Sequence, residues 1–351
     1  MRYDYQIVGA GPAGAAAAAV LARMGYKVAV YEALPSPGLK PCGRGIPSLG
    51  DLPVELPRES IVRRIRGARL YVDGELAVEL RSGLEGVIVD KGAMIEAIIS
   101  SSGADLYTGA FYKAGSRRVR VGGVYHEVSK GIFAAGHGYY EGEKIVAVQY
   151  RLKSPVFEDM DWLDIWFDTG LIGYYYVFPN RSDEADVGVG GYADASTLWK
   201  LLDKFIESNP DLASAKRLKR EGARIAVGGL NLGFVDGLVK AGEAAGFVLP
   251  LTGEGIRPSM ISGSLAAKAL GEGGDPVEAQ ASSRIARAVQ IQRRILVKVK
   301  AMDRARRARL LKELPAEAHA LIALGRIDLP RLAAVLARKP RLLARMLRLL
   351  A

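Results

Sequence analysis

A single cysteine, Cys42, stands among 351 residues, which excludes an internal disulfide and any cysteine-based zinc cage. The three histidines show no ligand spacing, so no metal site is expected. No run of ~18 uninterrupted apolar residues occurs, which argues against a membrane-spanning helix. The chain opens directly on strand-forming residues, without the charged and apolar segments of an export signal, and a reducing, cytoplasmic setting is expected. Acidic residues are scarce in one region only. From Arg284 to Ala351 there are 4 Asp or Glu against 18 Lys or Arg, so the net charge of +11 belongs to the tail and residues 1–283 carry 31 basic against 34 acidic groups. A basic excess confined in this way is a weak sign of nucleic acid, and no aromatics are interleaved with the tail's arginines to stack on bases.

What the chain does have is apolar bulk, 49% of its residues, enough for a full core divided into two or three lobes. Residues 4–9 (DYQIVG) read as a buried strand, Pro12–Met24 as an alanine-rich helix, and residues 27–32 (KVAVYE) as the next strand. This strand, turn, helix, strand unit is what a parallel sheet requires. A Pro- and Gly-rich loop from Leu34 to Pro57 follows, holding "KPCGRGIP". Residues 61–80 alternate apolar and charged types around Asp73-Gly74, which predicts an antiparallel hairpin. Strand and helix return at residues 86–107, a short meander is expected over 117–135, and residues 145–192 are strand-like and aromatic. An amphipathic helix spans Leu198–Asn209, and Leu238–Leu270 repeats strand, Gly-rich turn and helix. The tail is helical in pattern, with Pro315, Pro330 and Pro340 at helix breaks or starts.

In "IVGAGPAGAAAAAVLARMGYKVAVYEA", Gly9, Gly11 and Gly14 stand where a backbone turns tightly, approaches a pyrophosphate and lets a helix pack on a strand. Ala13 lies in the same turn, and the helix N-terminus offers free N–H groups and partial positive charge to phosphates. Glu32, 18 residues past Gly14, ends the second strand beside Ala33 and is placed to accept hydrogen bonds from a ribose. The bland alternative is that these glycines serve packing only. The expected fold is α/β: a Rossmann-like FAD-binding domain (1–58, 85–140 and 225–283), interrupted by a mostly antiparallel β substrate domain (59–84 and 141–224), with a basic helical region at 284–351.

Four stretches carry a resemblance. "KAGEAAGFVLPLTGEGIRPSMISGSLAA" (240–267), the "KPCGRGIP" loop, "YYYVFPN" (174–180) and "EADVGVGG" (184–191) resemble, in order, the flavin-facing segment, the cysteine-glycine loop, the Y-x-W-x-F-P motif and the strand after it in the geranylgeranyl reductase family. These are flavoproteins of the p-hydroxybenzoate hydroxylase superfamily. The resemblance runs from residue 3 to about residue 270 and leaves the tail aside. It implies FAD, reduced by an external donor (NAD(P)H, ferredoxin or a deazaflavin), and saturation of double bonds in polyisoprenyl groups on lipids. It also places Gly242, Glu243 and Gly246 at the ribityl and phosphate part of FAD, and Pro250 to Ile256, with Gly253 and Gly255, along the isoalloxazine. The helix from Ser259 would point its N-terminus at the ring. Arg44, Gly45 and Lys91 join the cofactor set. Four positions depart from the family pattern: Glu243 for Asp, Lys91 for Arg, Gly136 for the Asp of A-D-G, and Tyr176 for Trp.

Saturating an unactivated alkene needs a hydride, a proton and a dry pocket. Cys42, between Lys40, Arg44 and glycines, is a candidate proton donor of the kind whose thiol is activated by neighbouring cations, or simply a small residue in a tight loop. Tyr174 and Tyr176 are candidate proton relays, and Tyr175, Phe178 and Pro179 candidate substrate contacts, with alternate residues facing the cavity because the segment is a strand. The alternative is an aromatic strand buried in a core. In the tail, Arg338, Arg341, Arg345 and Arg348 fall on one helical face, and Leu342, Leu343, Met346, Leu347 and Leu350 on another. Such a helix suits the inner face of an anionic membrane, or packing against its own protein. Rival readings are a flavin-dependent aromatic monooxygenase of the same superfamily and a nucleic-acid-binding flavoprotein.

Overall fold

The computed structural model describes residues 2–81 and 84–350, with the side chains of Leu329, Leu349 and Leu350 outside that description. Residues 82 and 83, near the expected boundary at 84, therefore also lie outside it.

The first unit forms as its pattern requires. Tyr5–Val8 and Val28–Tyr31 are adjacent parallel strands joined by the Pro12–Arg23 helix. Gly131–Phe133 and Leu238–Lys240 extend the sheet in parallel on one side and Asp105–Tyr107 on the other, and Phe234–Val235 adds an antiparallel edge. The helix buries Ala13 and Ala15–Ala19 together with Leu21, because the Ile256–Glu272 helix packs against it. A Cβ on Gly263 of that second helix would fall 2.1 Å from the Ala13 carbonyl oxygen. Only small residues allow this approach, and it joins the N-terminal motif to the 242–272 segment as one body.

A second sheet runs Lys216–Ala226, Lys144–Lys153, Glu184–Gly191, Gly173–Pro179, Trp162–Asp168, Gly67–Val72, Glu75–Leu80. All its neighbours are antiparallel except Trp162–Asp168 with Gly67–Val72. Asp73 and Gly74 turn the Gly67–Val72 hairpin with φ of 48° and 91°, as a two-residue loop between twisted strands demands. The stretch 61–80 is not one hairpin, however. Ile61–Ile65 pairs with Gly86–Val89, which also pairs with Gly45–Ile46, so the chain leaves one sheet and enters another at Arg66. Period-two patterning is the same on both sides of that crossing and does not reveal it. The meander begins earlier than expected, at Phe111–Lys113.

One face of the seven-stranded sheet packs on the Ala195–Glu207 helix through Trp166, Tyr175, Val177, Leu198, Leu202 and Phe205. The tail forms five helices, Arg284–Ala301, Arg304–Glu313, Ala316–Ala323, Leu329–Leu336 and Pro340–Leu350. Pro315, Pro330 and Pro340 all stand at helix starts, where the missing N–H costs nothing. Leu310, Leu314, Leu332, Leu336, Leu342 and Met346 close a small core of their own. No helix among the described residues is long and apolar enough to cross a membrane.

Candidate active site

The carboxyl ends of Tyr5–Val8 and Val28–Tyr31 open into a cavity of about 970 Å³, large for a ligand pocket. At its near end lie Gly9, Gly11, Ala13, Glu32 and Ala33. Gly14 does not face the cavity: a Cβ there would fall 2.0 Å from the Gly9 carbonyl oxygen, so it serves the packing of helix on strand. In front of Gly11 the space is open, with no atom within 4 Å of a Cβ position. Glu32 accepts hydrogen bonds from the backbone N–H groups of Ala10 (2.8 Å) and Leu34 (2.9 Å). This holds the carboxylate at the mouth of the cradle with lone pairs still free.

Two helices aim uncapped N-termini at this cavity. Neither Gly11, before Pro12–Arg23, nor Gly255, before Ile256–Glu272, supplies a side-chain cap. Elsewhere Asp90, Asp194, Asp275, Ser283 and Asp303 cap their helices. Free N–H groups at both ends of the cradle suit a pyrophosphate at one and a negatively charged ring at the other. The second helix starts at Ile256, one turn before Ser259. Pro250, Gly253, Gly255 and Ile256 line the cavity; Gly242 and Gly246 stand just behind the lining, where Gly242 abuts Ala13 and Gly246 the Gly229 carbonyl.

Glu243 lines the cavity and forms an ion pair with Lys40 of the cysteine loop, while accepting from the Ala226 N–H at 3.3 Å. Lys91, almost fully buried, donates to the Lys40 carbonyl, and its pKa is pushed down by burial. Lys40, Glu243 and Lys91 therefore pin the loop that carries Cys42. His137 also lines the cavity, its pKa lowered by burial and then by Lys40. His126 is not among the cavity-lining residues; it lies tilted over Tyr31 and Tyr107.

The loop lies on the aromatic strand. A Cβ on Gly43 would meet the Phe178 ring at 2.9 Å, and Gly45 faces the same ring. Arg44 adopts a left-handed φ of 60°, a conformation that needs outside support in a non-glycine residue. The Arg44 N–H donates to the Cys42 sulfur at 3.3 Å, and its guanidinium lies 3.9 Å from the buried Asp186, which Arg151 and Asn180 also hold. Cys42 is half-buried at the cavity wall.

Strand geometry divides the aromatic run. Tyr174, Tyr176 and Phe178 face the cavity. Tyr175 does not: it stacks on Phe205 at 4.6 Å on the opposite face, and Pro179 is buried without lining the cavity. Alternation puts 175, 177 and 179 away from the pocket, so these two expected substrate contacts are packing residues. Tyr174 donates to the Thr252 carbonyl, and burial pushes its pKa up to about 12. Tyr176 donates to Gln149 Oε1 at 2.7 Å and is raised well above the usual tyrosine range by burial. Both phenols are fixed as protonated donors.

Residues beyond the expected set complete the site. Arg257, 2% exposed, bonds Glu254 through two nitrogens (2.9 and 2.8 Å) and donates to the Leu324 carbonyl (2.8 Å). It thereby ties the 250–256 turn to the tail. The i, i+3 spacing of Glu254 and Arg257 was the available signal. Ile295, Leu296, Val299, Leu310, Leu314, Ile322 and Met346 of the tail roof the cavity opposite the sheet, and no local signal announced that.

A Rossmann-like NAD(P)-binding model matches residues 7–40. A digeranylgeranylglycerophospholipid reductase from Picrophilus torridus is 30% identical over 308 residues, covering 76% of this chain and 77% of that one. The chain belongs to the geranylgeranyl reductase family. A geranylgeranyl diphosphate reductase from Rhodobacter capsulatus is 26% identical, covering 77% of this chain and 75% of that one. The crystal structure of a geranylgeranyl bacteriochlorophyll reductase-like protein from Thermoplasma acidophilum superposes with a TM-score of 0.78 at 22% identity, over 99% of both chains. That likeness covers nearly the whole chain, the tail included. As a family member the chain is an oxidoreductase of the FAD-binding fold. The open space before Gly11, the two uncapped helices and Glu32 fit FAD.

Proposed function

We propose that this geranylgeranyl reductase family member saturates C=C bonds of geranylgeranyl-type chains on lipids or related isoprenoids. The observation that carries the reading is one continuous cavity from the dinucleotide cradle to the tail leucines, walled by Leu163, Ile165, Phe167 and Ile225. A polyprenyl chain needs such an apolar, water-poor channel reaching the reactive ring. When bound and reduced, FAD supplies the hydride. Gly11, Ala13, Glu32 and the Pro12–Arg23 N-terminus would hold its nucleotide part, with Gly253 to Ile256 along the ring. Cys42 is the proton-donor candidate at the cavity wall, and Tyr174, whose proton is committed to the Thr252 carbonyl, is a positioning group. Tyr176, whose proton is committed to Gln149, acts as a positioning group, with Phe178 under the cysteine loop.

The same reading keeps the three-part division of the chain, with Ile61–Ile65 assigned to the flavin lobe because it pairs with Gly86–Val89. The electron donor is one of NAD(P)H, a ferredoxin or a deazaflavin. Approach to a membrane surface, where such lipids reside, rests on the basic face: Arg338, Arg341 and Arg348 stay exposed while Leu342 and Met346 are buried against the protein.

The test is anaerobic incubation of the reduced holoenzyme with a digeranylgeranyl glycerolipid, read by mass spectrometry. Gain of two hydrogens per bond, with matching flavin reoxidation, supports the proposal. Unchanged lipid across several isoprenoids contradicts it.

A further inference from the structure

One cation in the cavity wall has no use in the chemistry above. The Arg304–Glu313 helix packs on the Gly67–Val72 hairpin and turns two arginines toward the end of the sheet. Arg304 is satisfied there: it donates to Thr169 Oγ1 at 3.3 Å and lies 3.4 Å from Asp73. Arg307, one turn on, is half-buried and lines the cavity; its Nε donates to the Asp303 carbonyl at 3.5 Å, while its Nη1 is buried with no hydrogen-bond partner among the described residues. No carboxylate among the described residues lies within ion-pair distance of it. A buried donor left unmatched is destabilising, and more so when it carries charge. The unmatched Nη1 on the cavity side is best accounted for by an anion that joins it, and the planar guanidinium fork matches a phosphate.

Its position matters as much as its charge. Asp168 and Thr169, the latter bonded by Arg304 one turn before Arg307, line the same cavity, at the end of the sheet where Asp168 pairs with Gly173. Phe178, under the Cys42 loop, lies five residues further along that strand, about 17 Å away at ~3.3 Å per residue. Between the two ends the wall is apolar, built from Leu163, Ile165, Phe167, Leu310 and Leu314.

We propose that Arg307 anchors the anionic head group, a phosphate or diphosphate ester, of the prenyl chain that fills the cavity. The inference rests on the isoprenoid reading and adds to it a specificity-determining residue in the tail. Holding the head at a fixed point of the cavity sets which double bonds come to the flavin.

Binding to the FAD-loaded protein tests this without turnover. Geranylgeranyl diphosphate, a digeranylgeranylglyceryl phosphate and the neutral alcohol geranylgeraniol are titrated calorimetrically against wild type, Arg307→Met and Arg307→Lys, with FAD content and melting temperature confirming the fold. Arg307→Met is expected to weaken one or both phosphorylated ligands by about 10- to 100-fold while leaving the alcohol within about twofold, with Arg307→Lys intermediate. Loss confined to the diphosphate or to the lipid phosphate identifies which source the anchor serves. Equal loss for charged and neutral ligands, or none for either, overturns the anchor alone. Failure of wild type to bind any of the three overturns the isoprenoid reading with it.

Discussion

Gly11 and Gly14 stand three residues apart and serve opposite ends, one leaving space for a ligand and the other removing it from a packed interface. Gly11→Ala should therefore keep its melting temperature while losing flavin on gel filtration, because the added methyl occupies only the open cradle. Gly14→Ala forces a methyl onto the Gly9 carbonyl and should cost about 1–3 kcal/mol in chemical denaturation as well as the cofactor. A Gly14→Ala protein as stable as wild type would contradict that division. At Tyr176 the hydroxyl is bound to buried Gln149, so Tyr176→Phe leaves an acceptor unmatched and should cost about 1–3 kcal/mol. Its pH–rate profile should keep its shape, since the phenol stays protonated across the working range; a profile shifted by more than a unit would make Tyr176 a proton donor. The cofactor motif was legible because its chemistry dictates both residue type and spacing. Tyr175 and Pro179 lie away from the pocket because only every second residue of a strand can reach one face of it, which a motif read as a block does not reveal.

At the scale of elements, the contact between the tail and the β lobe is electrostatic as well as apolar. Glu143, next to the Lys144–Lys153 strand, pairs with both Arg293 and Lys300 of the Arg284–Ala301 helix. Burial pulls its pKa up, but the hydrogen bonds from Lys300 and Arg293 outweigh that, and the net pKa is lowered. A carboxylate with a lowered folded pKa contributes stability above its unfolded pKa, and that contribution fades as pH falls through the folded value. Glu143→Gln should therefore lower stability by about 1 kcal/mol near neutrality, after allowance for solvent screening, with the gap from wild type closing in acid. Denaturation at pH 7 and pH 3 would check it; a constant gap would rule Glu143 out as the titrating group. Helix starts at Pro315, Pro330 and Pro340 were readable one by one. The crossing of the 61–80 stretch between two sheets was not, because strand partners are chosen by distant residues.

For the whole molecule, the tail changes meaning once its partners are known. Read alone, the last helix is a basic amphipathic segment fit for a membrane; in the fold, Leu342 and Met346 close a core with Leu310 and Leu314, and that core roofs the cavity. Periodicity shows that a face is apolar but not what covers it. Met346→Ala, at 1% exposure, should cost about 2–5 kcal/mol and loosen selectivity among chain lengths, measured by competition between isoprenoid lipids. Unaltered chain-length preference would separate the roof from the substrate.

The central claim is that a flavin and a polyprenyl chain share one cavity. Its most direct test is a single-turnover experiment: the FAD-loaded protein is reduced chemically under anaerobic conditions, mixed with a geranylgeranyl lipid, and followed at the flavin absorbance and by mass. The account predicts reoxidation of the flavin in step with lipid that has gained two hydrogens. Flavin that stays reduced with every isoprenoid offered, yet reoxidises while hydroxylating an aromatic once oxygen is admitted, would contradict it.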